Sequence, residues 1–319
     1  MSAFDTLKAA FEASLHPSPT VIFIGLAVVL FVPILLHFIF SATTPYTTLP
    51  SVLLIGPSGA GKTALVTLFE RGPLASKLPS PVAKTHTSQV PSATELAIST
   101  DPPTSSFTTD LDAAGATAKK FLLVDTPGHP KLRAAALAPL SSATPTISPS
   151  SLPAASAAGE SNKSKIKALL FVVDAAALSD ADSGALSATA EYLYEVLIAL
   201  QKRFHRRSGS RAPASLPVLV AANKMDLFTA LPAALVKSQL EGELGRIRKA
   251  RAKGLLSSGE NDQGDFEEEG EGWLGGLGNE KFSFEEMMEF DIEVEVIGGN
   301  VLGDGPGAEK WWRWIGERV

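Results

Sequence analysis

Residues 56–63 read Gly56-Pro57-Ser58-Gly59-Ala60-Gly61-Lys62-Thr63, and they follow directly on the apolar run Val52 to Ile55. The octet fits G-x-x-x-x-G-K-[ST] at every defined position, a pattern whose meaning is geometric. Gly59 and Gly61 can take backbone angles closed to other residues, so the N–H groups of the loop Gly56-Pro57-Ser58-Gly59-Ala60-Gly61, all but that of Pro57, can turn inward around phosphate oxygens. The helix-like stretch T-A-L-V-T-L-F-E that follows would add the positive end of its dipole. Lys62 is placed to neutralise β- and γ-phosphates, and the hydroxyl of Thr63 to bind Mg²⁺. The loop therefore predicts a nucleotide-binding chain.

Which nucleotide is expected follows from Asn223, Lys224, Met225 and Asp226, an N-K-x-D sequence directly after the apolar stretch Val218 to Ala222. Guanine presents N1–H and an exocyclic amine side by side, and the single carboxylate of Asp226 can accept from both. Adenine has no such pair and would leave that carboxylate unsatisfied, a loss of about 1 to 3 kcal/mol or more for a charged group. Asn223 would face the other edge of the base and the stem of Lys224 would cover a ring face. The expected ligands are GTP and GDP, with Mg²⁺.

Between these two motifs lies Asp125-Thr126-Pro127-Gly128, again at the end of an apolar stretch. A carboxylate at Asp125 can orient Mg²⁺ through a water, and the N–H of Gly128 can contact a γ-phosphate, so that loss of the phosphate releases the loop. A switch of this kind also needs a hydroxyl upstream that senses the metal. Thr85, Thr87 and Ser88 lie in the right segment, and Thr87 is the residue chosen.

Apolar runs and helix-period stretches alternate along the chain. Strands are expected at Ser51–Ile55, Glu95–Ser99, Phe121–Asp125, Ala168–Asp174, Val218–Ala222 and Ile292–Ile297, and helices at Lys62–Glu70, Ser183–Arg203, Pro232–Arg251 and Ala308–Arg318. The fold class is α/β, a P-loop GTPase with a mostly parallel six-stranded sheet flanked by helices. Ligands of such sheets sit at the carboxyl ends of the strands. Two segments, Ala138–Lys165 (rich in Ser, Ala, Pro and Thr) and Ser257–Glu280 (rich in Gly and Glu), are expected to be disordered surface insertions. The acidic one contains Asn261–Glu271, whose order of oxygen ligands does not match a calcium loop.

Val21 to Phe40 carries no formal charge and is interrupted only by Pro33 and His37. Roughly twenty helical residues span about 30 Å, the thickness of a bilayer's hydrocarbon core, so one N-terminal transmembrane helix is expected at 21–40. A cleaved leader would have a shorter apolar stretch behind a basic start, whereas Asp5, Lys8 and Glu12 precede this one. Flanking charge does not orient the span. A nucleotide-dependent domain needs cytosolic nucleotide, which places residues 1–20 in the lumen, 41–50 as a linker and 51–319 in the cytosol. The chain has 319 residues, 45% of them hydrophobic, a formal net charge of -6 and no cysteine. That length suffices for one buried core after the anchor and insertions are set aside, and disulfides and thiolate metal sites are excluded. The acidic balance argues against direct nucleic-acid binding. A local basic run, Lys202, Arg203, His205, Arg206, Arg207 and Arg211, reads either as a solvated helix end or as a contact for anionic lipid or ribosomal RNA.

Taken together, the N-terminal span, L-L-I-G-P-S-G-A-G-K-T from Leu53, T-H-T-S from Thr85, V-D-T-P-G-H-P-K-L-R from Val124 and A-A-N-K-M-D from Ala221 resemble the signal recognition particle receptor β subunits, relatives of the Arf-type small GTPases. The resemblance covers about Ser51 to Val319, outside the two insertions. It implies a single-pass anchor in the endoplasmic reticulum membrane and a cytosolic GTPase that, with GTP bound, holds the receptor's α subunit. Through that subunit it would be linked to the signal recognition particle, the ribosome and the translocon. The competing class is an Arf-like membrane GTPase of vesicle traffic, but such proteins attach through a lipidated glycine after the initiator Met, and Ser2 stands there. A membrane ATPase or kinase is disfavoured by Asp226.

Two positions depart from the small-GTPase pattern. Many small GTPases place Gln after D-x-x-G to orient the attacking water; here His129 stands there, and it can orient water or serve as a structural or partner contact. Slow intrinsic hydrolysis is expected from the missing Gln. The S-A-K-like sequence whose backbone meets the guanine carbonyl corresponds to Ile297-Gly298-Gly299-Asn300, which makes Gly298 and Gly299 candidate base contacts. At the C-terminus, Trp311, Trp312 and Trp314 are expected to pack a last helix on the sheet, with an interfacial belt as the alternative. Phe4, Leu7, Phe11 and Leu15 form one face of a short helix that could rest on a membrane surface.

Overall fold

Ser51–Ile55 is buried at every position and forms the strand β1, from which the sheet extends to both sides. The structure, a computed structural model, describes residues 19–43, 49–71, 85–99, 118–140, 146–147, 164–205, 215–258, 273–276, 281–304 and 306–319. They fall into two units, 1–47 and 48–319. In the second unit the strands β2 (Ser92–Ser99), β3 (Ala118–Asp125), β5 (Ser164–Asp174), β6 (Val218–Asn223) and β7 (Val294–Gly298) join β1 in the order β2-β3-β1-β5-β6-β7. All neighbours are parallel except β2 with β3. The chain goes from β1 to β3 on one side and to β5 on the other, so the order reverses at β1 and opens a crevice at its carboxyl end.

Side-chain alternation divides the sheet into two apolar layers. Leu53, Ile55, Leu169, Phe171, Val173, Val218 and Val220 face one core, formed with the helices α4 (Ala185–His205) and α5 (Ala233–Ser258) through Tyr192, Leu193, Leu197, Val236 and Leu240. Val52, Leu54, Leu170, Val172, Leu219 and Ala221 face the other. That second core is closed by α2 (Lys62–Arg71) and α6 (Glu309–Arg318). Strands buried on both faces have no polar positions to alternate with, which is why β1, β5 and β6 read as continuous hydrophobic runs in the sequence.

All six expected strands are present, β1 with the expected bounds and the other five with shifted ones. β2 begins three residues earlier than expected because Ser92, Ala93 and Thr94 complete its antiparallel ladder with Asp125, Val124 and Leu123. The tryptophan-bearing helix packs on the sheet: Trp311 donates its indole N–H to Ile297 O at 3.0 Å, Trp312 lies 4.8 Å from Phe69 ring to ring, and Trp314 donates to Glu295 at 2.8 Å.

The insertions are more structured at their ends than their composition suggests. Ala138–Leu140 forms a 3-10 turn with Leu140 buried, and the two-residue strand β4 (Thr146–Ile147) pairs with Ser164 and Lys165. In the acidic segment Leu274 is fully buried, and Trp273 lies beneath the Arg248 guanidinium at 4.9 Å. These apolar residues are averaged away in a Gly- and Glu-rich window. Residues 141–145, 148–163 and 259–272 lie outside the described residues, as does Asn261–Glu271.

In the first unit, α1 runs over Pro19–Thr43 for 25 residues, with Pro33 inside it and no acidic or basic residue in its end turns. Ile22, Phe23, Ile24, Val29, Phe31, Ile34 and Leu35 expose their side chains. Beyond its first turn, side chains are described only over 22–36. Among the described residues no helix is long and apolar enough to cross a membrane. The face formed by Phe4 to Leu15 lies outside the described residues, as do Arg206, Arg207 and Arg211.

Candidate nucleotide site

The loop after β1 takes the backbone conformations that its glycines permit: φ is +149° at Gly56, +80° at Gly59 and +100° at Gly61. Gly56 lies so close to the carbonyl of Val172 on β5 that a Cβ there would collide with it. The loop therefore has its shape from the sheet beneath it. It opens on a cavity of about 170 Å³ lined by Ser58, Gly59, Gly61, Lys62, Thr63, Thr85, Thr87, Ser88, Thr126 and Gly128, among others. The neck of the loop is held by the Lys62 ammonium, which donates to Gly56 O at 2.8 Å and Pro57 O at 2.9 Å. Burial pushes the Lys62 pKa down to about 8, while the Asp125 carboxylate acts in the opposite direction.

Asp125 ends β3 beside this loop. Its Oδ2 accepts from Thr63 Oγ1 at 2.6 Å and from Ser88 Oγ at 3.3 Å, and the two hydroxyls are 3.0 Å apart. Its Oδ1 is buried with no hydrogen-bond partner among the described residues. Burial raises the Asp125 pKa, and the hydroxyl of Thr63 and the ammonium of Lys62 pull it back down. A carboxylate with one uncommitted buried oxygen beside two hydroxyls is a hard-oxygen donor set, the kind that suits Mg²⁺. This arrangement fits the metal expected from the sequence. Thr87 lines the cavity, yet the upstream hydroxyl bonded to Thr63 and Asp125 belongs to Ser88.

The segment after Asp125 folds back over the loop. Thr126 anchors it with Oγ1 donating to Leu54 O at 2.7 Å. Gly128 follows, and a Cβ on it would lie 2.5 Å from Lys62 Nζ and 2.7 Å from Gly56 O. His129 is exposed, and its Nδ1 accepts the Lys131 amide at 3.2 Å, capping the 3-10 turn Pro130–Leu132. This bond holds the imidazole by Nδ1 and leaves Nε2 uncommitted to the turn. Arg133, the first residue of the short helix α3 (Arg133–Leu137), lies over the Tyr192 ring at 4.5 Å and reaches Glu195 at 3.8 Å, which fixes this segment to α4.

Asn223 joins the second motif to the first. Its Nδ2 donates to Ala60 O at 2.7 Å, and its Oδ1 accepts from Lys224 N at 2.8 Å and Val301 N at 3.1 Å. The phosphate loop, the N-K-x-D turn and the loop after β7 are therefore mutually bonded at one sheet edge. In the last loop Gly299, an expected base contact, is bonded to the sheet. Its N–H is spent on Ala222 O at 2.9 Å and its carbonyl on Met225 N at 3.2 Å, which leaves Gly299 as the continuation of the sheet. Gly298, paired with Ala222 at the end of β7, packs against the Met225 sulfur. The stretch facing Asp226 comes later, at Gly303, where φ is +76° and a Cβ would be 2.6 Å from Asp226 Oδ2. Buried Asn300 shapes it by donating to Leu302 O and Gly303 O and accepting from Gly307 N at 2.7 Å. Sequence reasoning named Ser88 among the three upstream hydroxyls but chose Thr87 over it, and it overlooked Gly303 as the neighbour of Asp226. Only the glycine-rich run Gly303 to Gly307 hinted at the latter.

Comparison with known proteins agrees with this geometry. Residues 156–287 match the family described as the signal recognition particle receptor beta subunit. A curated protein of Saccharomyces cerevisiae, "Signal recognition particle receptor subunit beta", is 30% identical over 206 residues, or 65% of this chain and 61% of the yeast protein. The match thus spans less than two thirds of the yeast relative. Among solved structures, "Signal recognition particle receptor SRb-GTP/SRX complex from Chaetomium thermophilum" is 58% identical with a TM-score of 0.71, covering 85% of this chain and 100% of that chain. "Signal recognition particle receptor SRb-GDP-Mg from Chaetomium thermophilum" is 55% identical with a TM-score of 0.63, covering 86% of this chain and 100% of that chain.

Proposed function

This chain belongs to the signal recognition particle receptor beta subunit family, and from that premise we propose that it is a membrane-anchored GTP switch that holds the receptor's alpha subunit at the endoplasmic reticulum. The observation that carries this reading is the convergence of Lys62, the Thr63–Asp125 pair and the Asn223–Asp226 turn at the carboxyl edge of one sheet. The backbone from Gly56 to Gly61 and the Lys62 ammonium hold the phosphates of GTP or GDP. Thr63 and Asp125, with Ser88 or Thr87 from the upstream segment, hold Mg²⁺, which supplies charge neutralisation at the β- and γ-phosphates. Asp226 accepts the two guanine donors, Asn223 braces the far edge, and Gly128 reads the γ-phosphate.

Gly128 is the hinge of the switch in this reading. It packs against Lys62 and Gly56, and it leads through His129 to the turn that Arg133 fixes on α4. A γ-phosphate contact at Gly128 would shift that turn, and the shift is what a partner could sense. His129 uses Nδ1 to cap the turn, so Nε2 is the atom available to orient a water, and hydrolysis without a partner is slow. The uncharged stretch Val21–Phe40 supplies the single-pass anchor, with the nucleotide domain in the cytosol. Through the alpha subunit the chain would serve the targeting of ribosomes making secretory and membrane proteins to the translocon.

Purification of the full chain from membranes tests this reading. Co-purification of a larger subunit with its own GTPase domain, retained in GTP and released in GDP, is the expected result. Retention independent of nucleotide, or no such subunit, contradicts it.

A further inference from the structure

Asp174 ends β5 next to the base-reading turn, at the register position paired with Asn223 on β6. Its Oδ1 accepts the amides of Ala176 and Ala177 at 3.1 Å each, so the carboxylate is fixed by backbone. Its Oδ2 accepts from the Lys224 ammonium. Lys224 has φ of +65°, and the only other non-glycine residue with positive φ among those described is Asp291. That conformation is strained for a lysine and persists only where its surroundings impose it. Two bonds impose it here: the Lys224 amide to Asn223 Oδ1 at 2.8 Å, and the ammonium to Asp174. The backbone around the pair is also tied across, with Ala175 N donating to Asn223 O at 3.0 Å and Leu231 N to Ala175 O at 3.1 Å.

We propose that Asp174 is a positioning residue for purine recognition: it holds the Lys224 stem in place before nucleotide binds, and touches no ligand itself. The proposal rests on the GTP reading above. A lysine stem is a flexible four-carbon chain, and covering a ring face with it costs rotamer freedom unless the chain is already held. A carboxylate pinned by two backbone amides supplies that restraint at the ammonium end. The pair is partly exposed, at 36% for Lys224 and 20% for Asp174, so its effect belongs to preorganisation of the site more than to global stability.

Asp174→Asn isolates this role. The amide oxygen of Asn can still accept from Ala176 and Ala177, while the ion pair with Lys224 is lost. In the full chain, Asp174→Asn is expected to weaken GTP and GDP by the same factor, about fivefold. The thermal midpoint of the nucleotide-free protein stays at the parent value. Lys224→Met keeps an apolar stem without its charge, and in that background Asp174→Asn is expected to have no further effect. Unchanged affinity in Asp174→Asn, or an equal loss in both backgrounds, would overturn the proposal. Asp226→Asn run in parallel separates this from the underlying reading: if it loses guanine preference while Asp174→Asn binds normally, the pocket stands and only the role of Asp174 fails.

Discussion

Thr63 Oγ1 donates to Asp125 Oδ2 at 2.6 Å, which ties the end of the phosphate loop to the end of the strand that carries the switch segment. Ser88 joins both from a third segment. Three stretches of chain thus meet on one carboxylate. Thr63→Ala should reduce the Mg²⁺ dependence of GDP affinity by about tenfold or more. The measurement is GDP affinity with and without Mg²⁺, and an undiminished metal effect would detach this cluster from metal binding. In the same assay Ser88→Ala should have a larger effect than Thr87→Ala. The reverse order would return the metal-sensing role to Thr87.

A second expectation concerns pH. Burial lowers the Lys62 pKa to about 8, below both the ordinary lysine value and that of the unfolded chain. The unfolded state therefore binds the proton more tightly. The charged, buried ammonium costs stability below about pH 8, and that cost disappears as pH rises through the ordinary lysine range. Lys62→Met should accordingly make the nucleotide-free protein more resistant to urea near neutral pH while abolishing nucleotide binding. A phosphate favours the ammonium, so GDP binding in the parent should take up a proton above about pH 8 and weaken as pH rises further. Calorimetry in two buffers of different ionisation heat detects the uptake. A Lys62→Met protein less stable than its parent near neutrality would contradict the burial argument.

Gly128 leaves no room for a side chain, because a Cβ would meet Lys62 Nζ at 2.5 Å and Gly56 O at 2.7 Å. The carbonyl is fixed backbone and cannot give way. Gly128→Ala should hold the switch segment off the phosphate loop, weakening GTP relative to GDP by about tenfold, the coupling expected of a two-state switch. Equal affinity changes for both nucleotides would remove Gly128 from the γ-phosphate contact.

Away from the nucleotide, Arg248 is fully buried, paired with Glu286 at 3.0 Å and donating to Leu274 O at 3.2 Å. Gln201 holds the same segment by donating to Trp273 O and accepting from Gly275 N. Glu286→Ala should destabilise the domain by about 3 to 5 kcal/mol, because it removes the carboxylate paired with a buried cation. Adding Arg248→Met should recover much of that loss. Urea unfolding of both variants checks the pair, and a mild effect of Glu286→Ala alone would mean that the cation has other compensation.

The parts of the site carried by contiguous residues were legible in the sequence. Gly56 to Thr63, Asp125 to Gly128 and Asn223 to Asp226 each have a local pattern with a mechanism, and each lies at the end of an apolar strand. What was hidden depends on contacts between distant segments. Ser88 could not be ranked over Thr87 because adjacent residues share a loop and differ only in where the fold points them. The bond of the Gly299 N–H to Ala222 O extends the β6–β7 ladder by one more rung, and strand ends are set by pairing. Trp273 and Leu274 vanished into the composition of their neighbours, although two buried polar residues, Gln201 and Arg248, receive them. Asp174 looked like an ordinary strand end until its partner Lys224 was placed beside it.

The central claim is that the site reads guanine through Asp226, and competition binding to the full chain in detergent tests it most directly. Labelled GDP should be displaced by GTP and left in place by ATP, and Asp226→Asn should reverse the preference from GTP to xanthosine triphosphate, whose extra carbonyl suits an amide donor. Displacement by ATP as effective as by GTP, or an Asp226→Asn protein that still prefers GTP, would contradict it.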